Sequence, residues 1–304
     1  MGGAYSHERR RSIHERQPPI EANTLDGSIH SGSGVSSALE HSSRNAPNET
    51  IDVAVVTQDE PFYMPWFYRS FFKETEDEVN VRWITVLDTF DESFVDSARR
   101  AYRLYGPSNF VRLGVRYLRR TTADRLGMGS HSVRSIARAH DVPTEERSSV
   151  NTPEFVDRIE RENVDVLLSV SAPEIFEVGV LNAPSWGCIN VHTAKLPKYR
   201  GLLPTFWALY HGDDEIGVTV HTMAEEIDRG RIVRQTTFPV GASPTLHDVI
   251  EEGKRVGGSL AAETLAEIAA GRETLDPMTG EESYFSFPTV EERREFQRNG
   301  GALL

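Results

Sequence analysis

Short apolar runs of strand length alternate with helical segments between residues 51 and 240. Residues 51–57 are rich in β-branched side chains, and residues 164–170 are apolar apart from Asp165 and Ser169. A strand that is buried on both faces of a parallel sheet gives such a continuous apolar run. Because strands that alternate with helices form parallel sheets, the sequence predicts an α/β, Rossmann-like fold with a mostly parallel sheet flanked by helices.

Periodicity and turn residues predict the other elements. Thr152, Pro153 and Glu154 together are typical of a helix start. Two alternating segments around Asp228, followed by a helical segment that stops at Gly271, predict a C-terminal β-hairpin and a long helix. The predicted strands are 81–87, 186–191, 216–223 and 231–240, with a short strand or its approach at 141–143, and the predicted helices are 66–74, 93–126, 153–163, 204–211 and 245–270.

Composition divides the chain into three expected parts. Residues 1–49 are rich in Ser, Gly, His and Arg and have few large apolar side chains, so they cannot offset the entropy of ordering. We expect a disordered N-terminal arm at 1–49, a catalytic domain at 50–240, and a C-terminal helix with an irregular tail at 241–304. A start codon assigned too far upstream is the alternative explanation of the arm.

Deletion of residues 1–45 is expected to leave activity and melting temperature unchanged, because this segment has little apolar surface to bury. Thermal unfolding and activity of the truncated and full-length chains check this. A substantial drop in melting temperature would show that the arm packs on the domain.

The net charge of the chain restricts the kinds of molecule that it can bind. The chain has 46 acidic and 33 basic residues, which gives a formal net charge of −13. General nucleic-acid binding needs a basic footprint, so this balance argues against it. Many arginines fall in the helical segment 99–120. Such a basic helix either binds a membrane surface or an anionic substrate, or packs on the domain with its arginines in solvent.

The single cysteine, Cys188, rules out an intramolecular disulfide and is interpreted as a buried structural thiol. This fits a reducing compartment, and we expect a cytoplasmic protein. No apolar run reaches the roughly 18 residues that a membrane span needs. We therefore expect no membrane partner.

Three polar side chains are candidates for a catalytic role. Asn190 and His192 lie two residues apart in a predicted strand, so alternation points both to one face. Asp228 lies in a predicted loop. An amide can donate a hydrogen bond to an oxyanion, an imidazole can move protons near neutral pH, and a carboxylate can fix the imidazole's charge. This combination suits acyl transfer to an amine.

Three motifs occur in order: Asn-x-His at 190–192, Leu-Pro-x-Tyr-Arg-Gly at 196–201 and Asp-x-Gly at 228–230. With their spacing they resemble the folate-dependent formyltransferases, and the resemblance extends over residues 51–240. The family usually has His-Pro-Ser-Leu-Leu-Pro where this chain has His-Thr-Ala-Lys-Leu-Pro at 192–197.

The resemblance implies an enzyme that transfers a formyl group from 10-formyltetrahydrofolate to a primary amine. It implies catalytic roles for Asn190, His192 and Asp228, and a supporting role suits His221. Arg200 either contacts substrate anions or supports its own loop. The residues implied for folate binding are Ser171, Ala172, Ile175 and Phe176, and those implied for the substrate loop are Leu196, Pro197, Tyr199, Arg200 and Gly201.

Two kinds of cofactor are not expected. The sequence has no metal-ligand spacing, so we expect no metal. Residues 58–61 read Gln-Asp-Glu-Pro after the first predicted strand, where a dinucleotide site needs a glycine-rich loop.

The sequence constrains the amine that accepts the formyl group less than it constrains the reaction. Methionyl-tRNA formyltransferases carry a C-terminal barrel, and the 64 residues after Val240 (304 minus 240) are too few for one. With the acidic charge, this favours a small amine such as a nucleotide-linked amino sugar. Methionyl-tRNA formyltransferase and phosphoribosylglycinamide formyltransferase are alternatives. Charge and length argue against tRNA as the acceptor, but it remains one of the alternatives. A non-catalytic folate-binding regulatory module is the alternative of another class. The oligomeric state stays open.

Overall fold

A computed structural model of the chain describes residues 50–87 and 94–304, so the predicted arm at 1–49 lies outside the described residues. A seven-stranded sheet has the order β3-β2-β1-β4-β5-β7-β8, and a two-stranded ladder pairs β6 with β9. The strands are β1 Ile51–Gln58, β2 Val79–Leu87, β3 Thr144–Arg147, β4 Val166–Val170, β5 Gly187–His192, β6 Arg200–Gly201, β7 Glu215–Thr222, β8 Ile232–Pro239 and β9 Tyr284–Phe285.

Helices flank this sheet. Strands β1 to β5 run parallel, whereas β7 and β8 form an antiparallel hairpin beside β5. The predicted α/β, Rossmann-like fold is therefore confirmed. The helices are α1 Met64–Glu74, α2 Phe94–Arg125, α3 Val133–Ala139, α4 Pro153–Arg161, α5 Val178–Leu181, α6 Pro204–His211, α7 Leu246–Ala269 and α8 Val290–Arg298.

Alternation along β1 divides the core into two layers. Val53 and Val55 face the larger core, which includes side chains of α1 and α7. Ala54 and Val56 face the smaller core, which includes side chains of α4 and α5. The helix α7 begins with a capping box formed by Thr245, and it is the long C-terminal helix that the sequence predicts.

The expectation of one continuous helix over 93–126 with a single apolar face is wrong. The chain breaks inside α2 at Gly106, where φ is 74°, and Pro107 follows. A helix cannot keep one face across such a break. Leu113 is buried, whereas Val111 and Leu118 are each 64% exposed.

Two further expectations at loop positions are corrected. The short strand expected at 141–143 begins at Thr144, after Asp141 with its left-handed φ of 56°. The tail is not irregular: Thr289 caps helix α8, and Phe296 of this helix lies 5.2 Å from Phe206 between ring centroids. Apolar packing orders a segment whose composition is mostly polar. Among the described residues, no helix combines the length and apolarity that crossing a membrane requires.

Candidate active site

Two of the candidate catalytic residues, Asn190 and His192, lie at the carboxyl end of β5, where ligands bind in open α/β sheets. The antiparallel pairing of β5 with β7 places His221 opposite Asn190 and Thr219 opposite His192. Directly opposed residues of paired strands share a face of the sheet. The cluster is therefore assembled by two adjacent strands and the loop that carries Asp228.

His192 is held between a carbonyl and a carboxylate. Its side chain is buried, and Nε2 lies 2.9 Å from the carbonyl oxygen of Tyr199. A carbonyl only accepts hydrogen bonds, so Nε2 carries a proton and donates. Nδ1 lies 3.7 Å from Oδ2 of Asp228. The Asp228 carboxylate therefore faces the ring nitrogen that does not bind the Tyr199 carbonyl.

Asp228 is fixed by its own loop and by the 196–201 loop. It has a left-handed φ of 52°. Its Oδ2 accepts the backbone N–H of Gly201 at 2.9 Å, and its Oδ1 lies 3.6 Å from Nε2 of His221. The guanidinium of Arg200 donates to the carbonyl of Ile227 at 2.7 Å. Arg200 thus connects its own loop to the loop that carries Asp228.

His221 orients Asn190, a role that sequence reasoning underrated. His221 Nδ1 lies 2.9 Å from the Thr222 carbonyl, so it carries the proton of the neutral ring. Nε2 is then an acceptor, 3.2 Å from Nδ2 of Asn190. Because Nε2 cannot donate, it accepts a hydrogen bond from the amide NH₂. Within residues 50–87 and 94–304 the second N–H of Asn190 has no hydrogen-bond partner, so it can bind substrate. The signal that could have found it is the strand register, which pairs His221 with Asn190.

His221 is expected to make stability depend on pH. Burial lowers its pKa to about 4, although the nearby Asp228 charge acts in the opposite direction. As pH falls, the unfolded chain takes up this proton near its ordinary pKa of 6.5, before the folded chain does. This contribution to stability is therefore full above that pKa and is lost as pH falls toward about 4.

Urea unfolding at about pH 7 and about pH 4.5 checks this expectation. The free energy of unfolding should fall more in the wild type than in His221→Gln, by on the order of 2 kcal/mol. Equal losses in the two proteins would contradict the assignment of His221 as a neutral, buried ring.

The 196–201 loop covers the cluster. The backbone N–H of Leu196 donates to Thr219 Oγ1 at 3.3 Å, and Pro197 follows. The side chains of Leu196 and Tyr199 are buried. Gly201 has a φ of 91°, a conformation that L side chains rarely adopt. The structure therefore brings Tyr199 next to His192 and Gly201 next to Asp228, while Leu196 contacts Thr219, which lies opposite His192 on β7.

The C-terminal segment 282–287 braces this loop, and the sequence did not predict it. Strand β9 runs parallel to β6, and Ser283 Oγ accepts the backbone N–H of Tyr199 at 2.8 Å. Glu282 pairs with Arg229 at 2.6 Å, next to Asp228. The ring of Phe285 stacks on Trp207 at 4.5 Å between centroids. The segment predicted to be an irregular tail is thus part of the site's scaffold.

The four residues implied for folate binding differ in their exposure in the structure. Ser171, with φ of 52°, accepts a hydrogen bond from Lys254 at 2.6 Å, and Ala172 is half-buried. Ile175 is 61% exposed, which leaves it available to a ligand. Phe176 is buried in the smaller core, so it is not an open wall of a pocket.

Other features of the described residues lie apart from this cluster. Two surface cavities of about 460 and 430 Å³ lie along α7 and β8, and neither is lined by Asn190, His192 or Asp228. Within residues 50–87 and 94–304 there is no group of three or more His, Cys, Asp or Glu side chains that could hold a metal ion. Cys188 is buried as predicted, and burial raises the pKa of its thiol.

Comparison with known proteins relates part of this chain to a protein family. Residues 124–265 match the family model described as formyl transferase, a range that includes the cluster of Asn190, His192, His221 and Asp228. The chain contains a formyltransferase domain. Residues of the methionyl-tRNA formyltransferase of Citrifermentans bemidjiense are 32% identical over 139 positions, which are 46% of this chain and 44% of that protein. The chain thus spans less than half of the length of that formyltransferase.

Solved structures support the fold of this formyltransferase domain. A sugar N-formyltransferase from a Shewanella species superposes with a TM-score of 0.51 and 17% identity, over 82% of this chain and 87% of that one. Glycinamide ribonucleotide transformylase 1 from Symbiobacterium toebii gives a TM-score of 0.52 and 16% identity, over 76% of this chain and 95% of that one. At this identity the likeness concerns the fold alone.

Proposed function

We propose that the chain transfers the formyl group of 10-formyltetrahydrofolate to a primary amine of a small molecule, such as a nucleotide-linked amino sugar. The observation that supports this most is the joint placement of Asn190, His192 and Asp228 within a domain of the formyl transferase family. The single buried Cys188 fits the reducing cytoplasm, which we propose as its location.

The proposed reaction is an acyl transfer. The acceptor nitrogen attacks the formyl carbon, the bond from that carbon to the folate nitrogen breaks, and one proton passes from the amine to the folate. The intermediate carries an oxyanion. The free N–H of Asn190 donates to this oxyanion, and protonated His192 supplies positive charge that Asp228 balances.

Charge supports a small acceptor. The net charge of −13 opposes a long polyanion. Arg112, Arg116 and Arg119 of α2 are exposed, and their positive charge suits the few phosphates of a nucleotide-linked sugar. The resemblance to a methionyl-tRNA formyltransferase supports the second candidate, in which the acceptor is the amino group of methionyl-tRNA.

An acceptor panel tests the proposal. The chain is incubated with 10-formyltetrahydrofolate and nucleotide-linked amino sugars, glycinamide ribonucleotide or methionyl-tRNA, and products are identified by mass spectrometry. We expect N-formylation of an amino sugar. Folate binding without transfer to any acceptor would favour the non-catalytic regulatory module instead.

Methionyl-tRNA is expected to bind weakly and without marked salt dependence. A tRNA site rests on phosphate contacts, so its affinity falls steeply as salt rises. Filter binding at low and high salt checks this. Submicromolar binding that weakens with salt, together with formylation of the bound methionine, would replace the small acceptor by tRNA and leave the formyl-transfer chemistry standing.

A further inference from the structure

An acid and a base that the proposed mechanism does not use lie where the strand order reverses. The chain passes from β1 to β2 on one side and returns to β4 on the other. In open α/β sheets this reversal opens a crevice at the carboxyl ends of the strands, and ligands bind there. Glu60 follows β1 by two residues, and Ser171 follows β4 directly.

Lys254 reaches this crevice from α7. Its ammonium donates to Oγ of Ser171 at 2.6 Å. The preceding residue, Gly253, packs so closely on Thr193 that an added Cβ would lie 2.6 Å from the Thr193 methyl group. Thr193 directly follows His192 in the chain. Lys254 therefore lies beside the end of the strand that carries the candidate catalytic residues.

Glu60 occupies the place where an anionic ligand would bind. Its carboxylate accepts the backbone N–H of Phe62 at 2.9 Å and that of Tyr63 at 2.7 Å. These amides stand at the start of α1, at the positive end of the helix dipole. Because a carboxylate already binds both N–H groups, this turn disfavours a phosphate.

Glu60 and Lys254 influence each other's charge without forming a direct ion pair. No ion pair within 4.0 Å joins Glu60 to Lys254 in the part of the chain that the structure describes. Burial raises the pKa of Glu60 to about 7 and lowers that of Lys254 to about 8, while each charge partly offsets the shift of the other. Each group keeps capacity for further hydrogen bonds, since a carboxylate accepts about four and an ammonium donates three.

We propose that Glu60 and Lys254 recognise neighbouring hydroxyl groups of the acceptor, which makes the acceptor a polyhydroxylated amine such as an amino sugar. A hydroxyl can donate to Glu60 while its neighbour accepts from Lys254, whereas an apolar amine offers neither bond. A site built to bind a hydroxyl discriminates strongly against the analogue that lacks it, because its buried groups are then left unpaired. The inference rests on the proposed function for the identity of the reaction.

The test compares 3-amino-3-deoxyglucose with cyclohexylamine, which has no hydroxyl groups. Binding of each to the full chain in the presence of 5-formyltetrahydrofolate is measured by saturation-transfer NMR, and formyl transfer is measured in parallel. The variants are Lys254→Met and Glu60→Gln. Their controls are Lys73→Met, an exposed lysine in the last turn of α1, and Glu252→Gln, an exposed residue on the outer side of α7.

The wild type is expected to bind the amino sugar at least about 10-fold more tightly than cyclohexylamine. Lys254→Met should lose most of this preference through a higher KM for the amino sugar, and Glu60→Gln should weaken it in the same way. The controls should retain it. No preference in the wild type, or an undiminished preference in both variants, overturns the inference. Preferential binding without formyl transfer overturns the proposed function alone.

Discussion

Asn190→Ala is expected to lower kcat by about 10²- to 10³-fold, the usual effect of removing one oxyanion donor. One N–H of this amide is held by His221 at 3.2 Å, and the other remains for the substrate. His192→Ala should lower kcat by at least about 10²-fold, since it removes the charge that faces Asp228. Because both groups act mainly in the transition state, KM should change less than kcat.

Steady-state kinetics with circular dichroism and thermal unfolding measure these effects. Asn182→Ala is a suitable control, because Asn182 is exposed at the end of α5. The removal of buried His192 leaves the Tyr199 carbonyl without its partner, so some loss of stability is expected beside the loss of rate. Near-normal turnover in either folded variant would remove that residue from the mechanism.

Gly230→Ala is expected to lower the free energy of unfolding by at least about 2 kcal/mol and the melting temperature by about 5 °C or more. A Cβ at this position would overlap the carbonyl oxygen of Thr222. A backbone atom cannot move aside as a side chain does, so the loop that carries Asp228 would be displaced. Activity should therefore fall together with stability.

Gly241→Ala is the matched control, because nothing lies within 4 Å of a Cβ at Gly241. It should retain wild-type stability and activity. Thermal unfolding and kinetics on both variants test whether the added methyl group at position 230 displaces the Asp228 loop. If Gly230→Ala matched Gly241→Ala, the tight approach of the Asp228 loop to β7 would not exist in solution.

Local patterns in the sequence were enough for most of the sheet and for the shared face of Asn190 and His192. The apolar run that forms β4 and the cap of α4 at Thr152 act over a few residues. The period of two along β5 likewise places Asn190 and His192 on one face. The loop at 196–201 and the Asp228 loop followed from the family resemblance, and the structure places both against His192.

The rest of the site depends on long-range contacts. Segment 282–287 reaches the 196–201 loop through backbone pairing that side-chain patterns do not encode. His221 required the register between β5 and β7. The apolar residue Phe176 suited a pocket wall or a core equally well, and tertiary packing placed it in the core. The break at Gly106 changed the face of α2 in a way that periodicity alone does not reveal.

The most direct measurement of the central claim is transfer of a ¹³C-labelled formyl group from 10-formyltetrahydrofolate to the amine acceptor, followed by mass spectrometry in a single turnover. We expect the label in an N-formyl amine with the wild type, and at least about 10²-fold slower labelling with folded Asn190→Ala. Labelling at an equal rate by the two proteins, or no labelled product from a wild type that binds folate, would contradict formyl transfer at this cluster.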